Sequence, residues 1–366
     1  MGIRILKFTN FIENALCIYR NVCLYSVWMQ ALISLRVVTE LVFIFAHIVT
    51  RTQFFYSHPQ CNSDIMYFYL TSVNSIVIIV FGFCYTKSYR HLIIHLNSGC
   101  KFFDNDKNYL NSLRAKHLIV VGCVFGFCLI KVVVFAYAHS TWVLIPDLHL
   151  IWYRLFQINM LMSDFRYIFE YLVLYCVLHV IAEQLKSVTR SINCDSETGN
   201  DSNTLITEVD RWSVIYKHAR ESAKLFNYIF GIQLTIMLAT AMFYYIIFLY
   251  TMASQSVAGR STLKDTIVYL TTLALMLCIL YMLSRAAQRM ENSADVLRRR
   301  LCKLLVLSQP SDDYHKATKD LLRMMSTRPI RARAFGCINV DMTLLPACVS
   351  FFTSYTVIAL QFNNVV

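Results

Sequence analysis

Apolar side chains along this chain gather into long runs separated by polar connectors. The runs fall at roughly 31–50, 66–85, 118–138, 160–183, 227–252, 266–284 and 342–361. A helix rising about 1.5 Å per residue needs about 20 apolar residues to cross about 30 Å of hydrocarbon, so the pattern predicts seven transmembrane helices. The connectors carry a pattern of their own. The polar stretch Lys87 to Lys116 holds Leu92, Leu96, Cys100 and Phe103 at helical spacing. Leu205, Val209, Trp212, Tyr216, Ala219, Ala223 and Phe226 follow a 4-3-4-3 spacing into the fifth span, and Met290, Ala294, Leu297, Leu301 and Leu304 do the same after the sixth. Such a stripe either buries a seam against another helix or lies on a membrane surface, which the run Arg298, Arg299, Arg300 would also suit. Its recurrence in two connectors favours the packed seam and predicts a cytoplasmic helical platform continuous with the spans. Asn193 to Thr204 reads as a loop, and the longest connector, Arg285 to about Asp341, is broken by Pro310 and Pro329.

Composition agrees with the pattern: 57% of residues are hydrophobic and 15% charged, with a mean hydropathy of +0.49, which excludes an ordinary soluble protein. The net charge of +12 is orientation information rather than a nucleic-acid footprint. Of the 34 Lys and Arg, 27 fall in the N-terminal tail and the even-numbered connectors, and only Arg51, Arg154, Arg260 and Lys264 on the other side. The positive-inside rule then places the N-terminus in the cytoplasm and, after seven crossings, the C-terminus outside. That is the reverse of a G-protein-coupled receptor. The expected all-α, polytopic organisation is a cytoplasmic tail over 1–30, transmembrane helices one to six over 31–284, a cytoplasmic connector over 285–340 and a seventh helix over 341–366. Met1 to Arg20 lacks the uninterrupted apolar core of a cleavable signal peptide. Of 13 cysteines only Cys61 falls in an outside loop, so no structural disulfide is expected.

Little points to catalysis. His91 and His95 would share a helix face, as a metal site requires, but the other histidines stand alone and no phosphate loop or nucleophile elbow is present. Neither an enzyme nor a metal or cofactor site is expected. Charges inside the spans say more. Arg36 with Glu40, and Arg166 with Glu170, are four residues apart, so each pair is expected to neutralise itself along one helix face. Asp164 and Lys131 have no local partner and should face the bundle interior. Aromatic residues crowd the outer halves of the spans: Tyr67 and Tyr69, Trp152 and Tyr153, Tyr244 and Tyr245, and Tyr269. An interfacial belt accounts for some of them. Tyr244 and Tyr245 lie a turn or more deeper, and an outward-opening aromatic pocket for a small organic ligand is the other reading.

The last span carries Ser354, Tyr355 and Gln361 in otherwise apolar sequence. Gln361 sits either at the interface or on a water-filled path inside a bundle. Ser354-Tyr355, five apolar or small residues, then Gln361-Phe362 resembles the Thr-Tyr, five hydrophobics, Gln-Phe signature that closes the seventh helix of insect gustatory receptors. Arg333-Ala334-Phe335-Gly336, Asn339 and Thr343-Leu344-Leu345 resemble the stretch leading into it. Ser354 replaces the usual Thr and keeps the hydroxyl. The resemblance implies a gustatory receptor of chemosensory neurons, a ligand-gated, non-selective cation channel in the plasma membrane opened by a small-molecule tastant. It implies four subunits, alike or mixed with related receptors, around a central pore. Gln361 and Phe362 would then lie at the outer pore and Ile358 would be a hydrophobic gate, with Tyr355 packing the helix that carries them. Trp212, Tyr216, Leu297, Leu301 and Leu304 would belong to the cytoplasmic assembly anchor. The alternative is a seven-helix chemoreceptor that signals through a cytoplasmic partner and has no pore. A transporter is disfavoured by 9 Gly, 5 Pro and no internal repeat. Sugars, bitter compounds and phenolics would suit the aromatics equally.

Overall fold

The structure is a computed structural model that describes Leu16, Ile18, Arg20 and residues 26–57, 62–103, 107–138, 148–195, 202–257, 263–307 and 312–362. Its helices are α1 (Val27–Ser57), α2 (Asn62–Cys84), α3 (Thr86–Lys101), α4 (Lys107–Ala138), α5 (Leu148–Asp195), α6 (Ser202–Val257), α7 (Leu263–Leu307), α8 (Asp312–Thr327) and α9 (Leu344–Phe362), with strands β1 (Arg333–Ala334) and β2 (Ile338–Asn339) between the last two. The seven apolar runs all lie in helices. Five are long and apolar enough to cross a membrane: Val27–Thr50, Leu161–Ile192, Ile206–Val257, Leu270–Val306 and Leu344–Gln361. The sixth is the bent pair α2 and α3, broken by 71° at Tyr85, and the seventh is the shorter Leu118–Val134 of α4.

The helices overrun the apolar runs that predicted them. α5, α6 and α7 have 48, 56 and 45 residues, about 70–85 Å at 1.5 Å per residue, against about 20 residues for a crossing. The surplus projects from the basic end, where α3 and α8 pack against it. There the a/d stripes are consumed: Trp212, Tyr216, Leu297 and Leu301 are buried in one core with Tyr314, Leu321 and Met325 of α8, and Leu304 is half-buried against it. The stripes are thus filled within one chain. α3 buries Tyr89, Leu92 and Leu96 on one face, and the Gln184 amide of α5 donates to Leu96 O at 2.9 Å over Gly99. A Cβ on Gly99 would stand 2.7 Å from that amide nitrogen, so a side chain there would displace it.

α5 is the central element: it packs along α7 and touches α2, α3, α4 and α6 as well, and it is buried almost continuously from Arg166 to Leu185. α1 rests on α2 through the small cluster Ile33, Val37, Ile44 and Ile79. Its outward Leu32, Leu35, Val38, Val42 and Phe45 stay exposed, as do Phe125, Leu129 and Val133 of α4, the faces that lipid covers.

Arg166 and Glu170 pair differently from the expectation that they neutralise each other along one helix. Arg166 donates from Nη2 to Glu40 Oε2 of α1 at 3.1 Å and from Nε to Leu16 O at 2.9 Å. Arg20 bonds Glu170 and lies over the rings of Tyr89 and Phe230 at 5.6 and 5.0 Å. Lys131 Nζ, read as lacking a local partner, reaches Asp164 Oδ2 at 3.0 Å across the α4–α5 seam. At low dielectric a bidentate fork with a carboxylate on one side and a carbonyl on the other satisfies more of the guanidinium than a same-helix partner could. The N-terminal segment is therefore not a loose tail where it is described: Leu16, Ile18 and Arg20 are buried against the bundle.

Candidate pore helix and ligand site

α9 is the terminal span, and its N-terminus is built by its own sequence. The Asp341 carboxylate accepts from Thr343 N at 2.9 Å, a capping bond for an otherwise orphan donor. Pro346 sits in the first turn, where a missing N–H costs nothing. The hydroxyls of Thr353 and Thr356 donate to the carbonyls four residues back, at 2.9 and 2.8 Å, so these polar groups are satisfied inside the helix. One face packs inward through Leu344, Cys348, Phe352, Thr356 and Leu360. The opposite face holds Phe351, Tyr355 and Ile358, which are 40%, 49% and 43% exposed, and Gln361 is exposed as well. The Tyr355 ring lies tilted against Phe351 with centroids 4.3 Å apart, so in the single chain it belongs to the outward face rather than to the packing of α9 on its neighbours. The Phe362 side chain lies outside the described residues.

Between α8 and α9 a hairpin that the hydrophobic pattern did not reveal fixes the base of α9. Phe335 and Gly336 turn it with φ of 50° and 74°; the second suits glycine, and the first is uncommon for a bulky residue. The hairpin is held to α6. Phe335 N donates to Gly231 O at 3.0 Å, Arg333 N to Asn227 Oδ1 at 2.9 Å and Asn227 Nδ2 to Arg331 O at 2.8 Å. The Arg333 to Asn339 sequence is thus a clamp that joins α6 to the terminal helix.

The adjacent tyrosines of α6 diverge. Tyr245 lies flat against Phe352 of α9, with centroids 4.3 Å apart and planes 5° from parallel, and its hydroxyl donates to Leu273 O of α7 at 2.5 Å. Tyr244 turns the other way, beside Thr71 of α2 and Asp164 of α5. Thr71, Asn74, Lys131, Asp164 and Tyr244 all stand four to eight residues from the sparsely charged ends of their apolar runs, about 6–12 Å deep at 1.5 Å per residue. All five are buried, and the Asn74 amide has no hydrogen-bond partner among the described residues. A polar layer therefore crosses the bundle at one depth. The sequence marked Tyr244, Lys131 and Asp164 but missed Asn74, whose signal was an amide in an apolar run. Tyr69 is half-buried and tied to Thr52 of α1 at 2.5 Å, away from the layer. Side chains of Tyr67, Trp152, Tyr153 and Tyr269 lie outside the described residues. A narrow apolar cavity of about 20 Å³ lies deeper, between α4, α5 and α7, lined by Val124, Ile168, Tyr171, Tyr175 and Leu283 among others. His91 and His95 do not pair; His95 Nδ1 instead lies 3.2 Å from His218 Nδ1 of α6.

Comparison with known proteins agrees with this architecture. The structure of the insect olfactory receptor OR5 from Machilis hrabei superposes with a TM-score of 0.70 at 12% identity, over 98% of this chain and 99% of that one. The same receptor in complex with eugenol gives 0.69 at 14% identity, with the same coverage. Likeness at that identity establishes the seven-span, all-α fold. Comparison with curated protein sequences gives no match. The model of the 7tm chemosensory receptor family matches residues 8–364, nearly the whole chain, and the chain belongs to that family, one of receptors rather than enzymes.

Proposed function

We propose that this protein is a chemosensory receptor of the gustatory type that works as a ligand-gated cation channel, opened by a small organic tastant. The observation that carries this reading is the pair of adjacent tyrosines. Neighbouring helix positions point about 100° apart, so one step along α6 sets Tyr244 in the polar layer and Tyr245 flat on the terminal helix. A ligand that hydrogen-bonds the layer, whose Asn74 amide has no partner among the described residues, shifts α6. That shift reaches α9 through the Tyr245–Phe352 stack and the hairpin clamp. The solved relative's complex with eugenol, a small organic molecule, supports this ligand class.

The outward face of α9 supports the pore. Four copies around an axis would bring Gln361 into a ring of amides whose oxygens replace part of a cation's hydration, with Ile358 one turn deeper closing the path by excluding water. Since the a/d seam is filled within the chain, subunits would join through the outward faces of the basic-end helices and of α9. The basic asymmetry orients that end toward the cytoplasm, in the plasma membrane of a chemosensory cell. The Ser354-Tyr355 to Gln361-Phe362 signature favours the gustatory branch.

Whole-cell recording tests this. The chain, expressed alone or with related subunits, is expected to pass inward current to at least one member of a panel of sugars, bitter compounds and phenolics. Gln361→Arg should suppress cation current at normal surface expression, and Ile358→Ala should raise current without ligand. Parental conductance, cation preference and resting open probability in both variants would remove these residues from the pore. A C-terminal tag inaccessible from outside intact cells would overturn the topology.

A further inference from the structure

We propose that a crevice at the basic end of the bundle, between α4, α5 and α7, binds a multiply charged phosphate group, presented by a lipid head group or by a free inositol phosphate. The crevice has a volume of about 350 Å³, within the usual size of small-molecule sites. Lys116 of α4, His179, Glu183 and Lys186 of α5, and Arg289 and Asn292 of α7 are among its walls. Its depth follows from the apolar pattern. Lys116 stands two residues before the apolar segment that begins at Leu118, and Lys186 and Arg289 stand three and five residues past the ends of the fourth and sixth runs at 183 and 284. All three cations thus meet within about 8 Å of the hydrocarbon edge, at the level of lipid head groups.

The charges in this crevice do not cancel. The buried Glu183 carboxylate accepts from Lys116 Nζ at 2.5 Å and has Arg190 Nη2 at 4.0 Å, so it is already occupied by two cations. Lys186 and Arg289 are exposed and make no ion pair among the described residues. Asn292 accepts from Gln288 Nε2 at 3.0 Å through its oxygen, which leaves its amide N–H groups to donate. An ammonium, a guanidinium and the amide N–H groups all donate, the complement of phosphate oxygens. A singly charged head group would answer one of the two remaining cations; a bisphosphate answers both. The site also touches the machinery of the terminal helix. Next to Arg289 on α7, Gln288 Oε1 accepts from Met342 N at 3.5 Å and Glu291 Oε1 lies 2.9 Å from Arg331 Nε, so an anion on Arg289 bears on the stretch of α7 that holds the base of α9.

The test uses the full-length protein in phosphatidylcholine nanodiscs. Phosphatidylinositol bisphosphate in the disc, or inositol trisphosphate in solution, is titrated while the thermal midpoint is followed. The parent is expected to gain stability with the lipid. Lys186→Gln/Arg289→Gln is expected to weaken binding about 30-fold, about fivefold for each cation near the surface. Arg298→Gln/Arg299→Gln, which removes the same charge from exposed positions farther along α7, is expected to leave it within about twofold. Binding of both compounds would identify the phosphates themselves as the recognised group, and binding of the lipid alone a membrane head group. No binding of either, or equal weakening in the two double variants, would overturn the site.

Discussion

Lys131 and Asp164 are 3.0 Å apart, with side chains only 8% and 11% exposed, and they pair two helices at the depth of the polar layer. Lys131→Met keeps the length of the side chain and removes its charge, leaving Asp164 buried without its cation. Breaking a buried pair from one side costs about 3–5 kcal/mol, whereas replacing both members with apolar residues is near neutral or stabilising. At about 1–2 °C per kcal/mol for a chain of this size, Lys131→Met and Asp164→Val should each lower the thermal midpoint by about 5 °C, and the double variant should recover most of that loss. The assay is the midpoint of the detergent-solubilised protein, from the monodisperse peak left after heating at a fixed rate, for parent, both single variants and the double. Independent sites add within about 0.5 kcal/mol, so the recovery measures the coupling directly. Two single variants that melt with the parent, or a double variant that falls by the sum of the two, would refute the pairing. In the recovered double variant the ligand response should still be altered, since Asp164 stands beside Tyr244.

Asn227→Ala removes both side-chain bonds of the clamp, a loss of about 1–3 kcal/mol; amide exchange at Arg333 and Phe335 should accelerate about fivefold or more, and unchanged protection would mean that the backbone contact alone holds the hairpin. Leu301→Asp buries a charge in a filled seam at a cost of several kcal/mol and should abolish monodisperse protein, while the exposed Arg299→Ala stays within about 0.5 kcal/mol of the parent; normal melting of Leu301→Asp would deny that the seam is buried. Tyr244→Phe should shift the ligand concentration for half-maximal current and Tyr245→Ala the maximal current, because only the second loosens contact with Phe352; indistinguishable effects would return both tyrosines to an interfacial belt.

By itself the sequence determined whatever a single helix decides. Seven apolar runs of about 20 residues satisfy their backbone in lipid as helices, and the stripes through Trp212, Tyr216, Leu297 and Leu301 favoured a partner seam over a membrane surface. The cluster of signature residues at Tyr355, Ile358 and Gln361 shares an outward face because their spacing of three residues fixes it. Only the tertiary structure decided which groups met. Arg166 and Glu40 are 126 residues apart, and Arg20 and Glu170 are 150 apart; Arg166 had a same-helix carboxylate in Glu170, and the choice rested on which elements the bundle sets side by side. The seams built from Trp212 and Leu301 closed on α8 of the same chain, a helix that begins five positions after α7 ends and reaches the seam within one chain. The hairpin escaped the hydrophobic pattern because two-residue strands carry too little periodicity to register, and Phe335 holds its positive φ where the turn bonds α6. Tyr244 and Tyr245 share a helix and a chemistry, and it was the packing of α2, α5 and α9 around α6 that gave one to the polar layer and the other to the terminal helix.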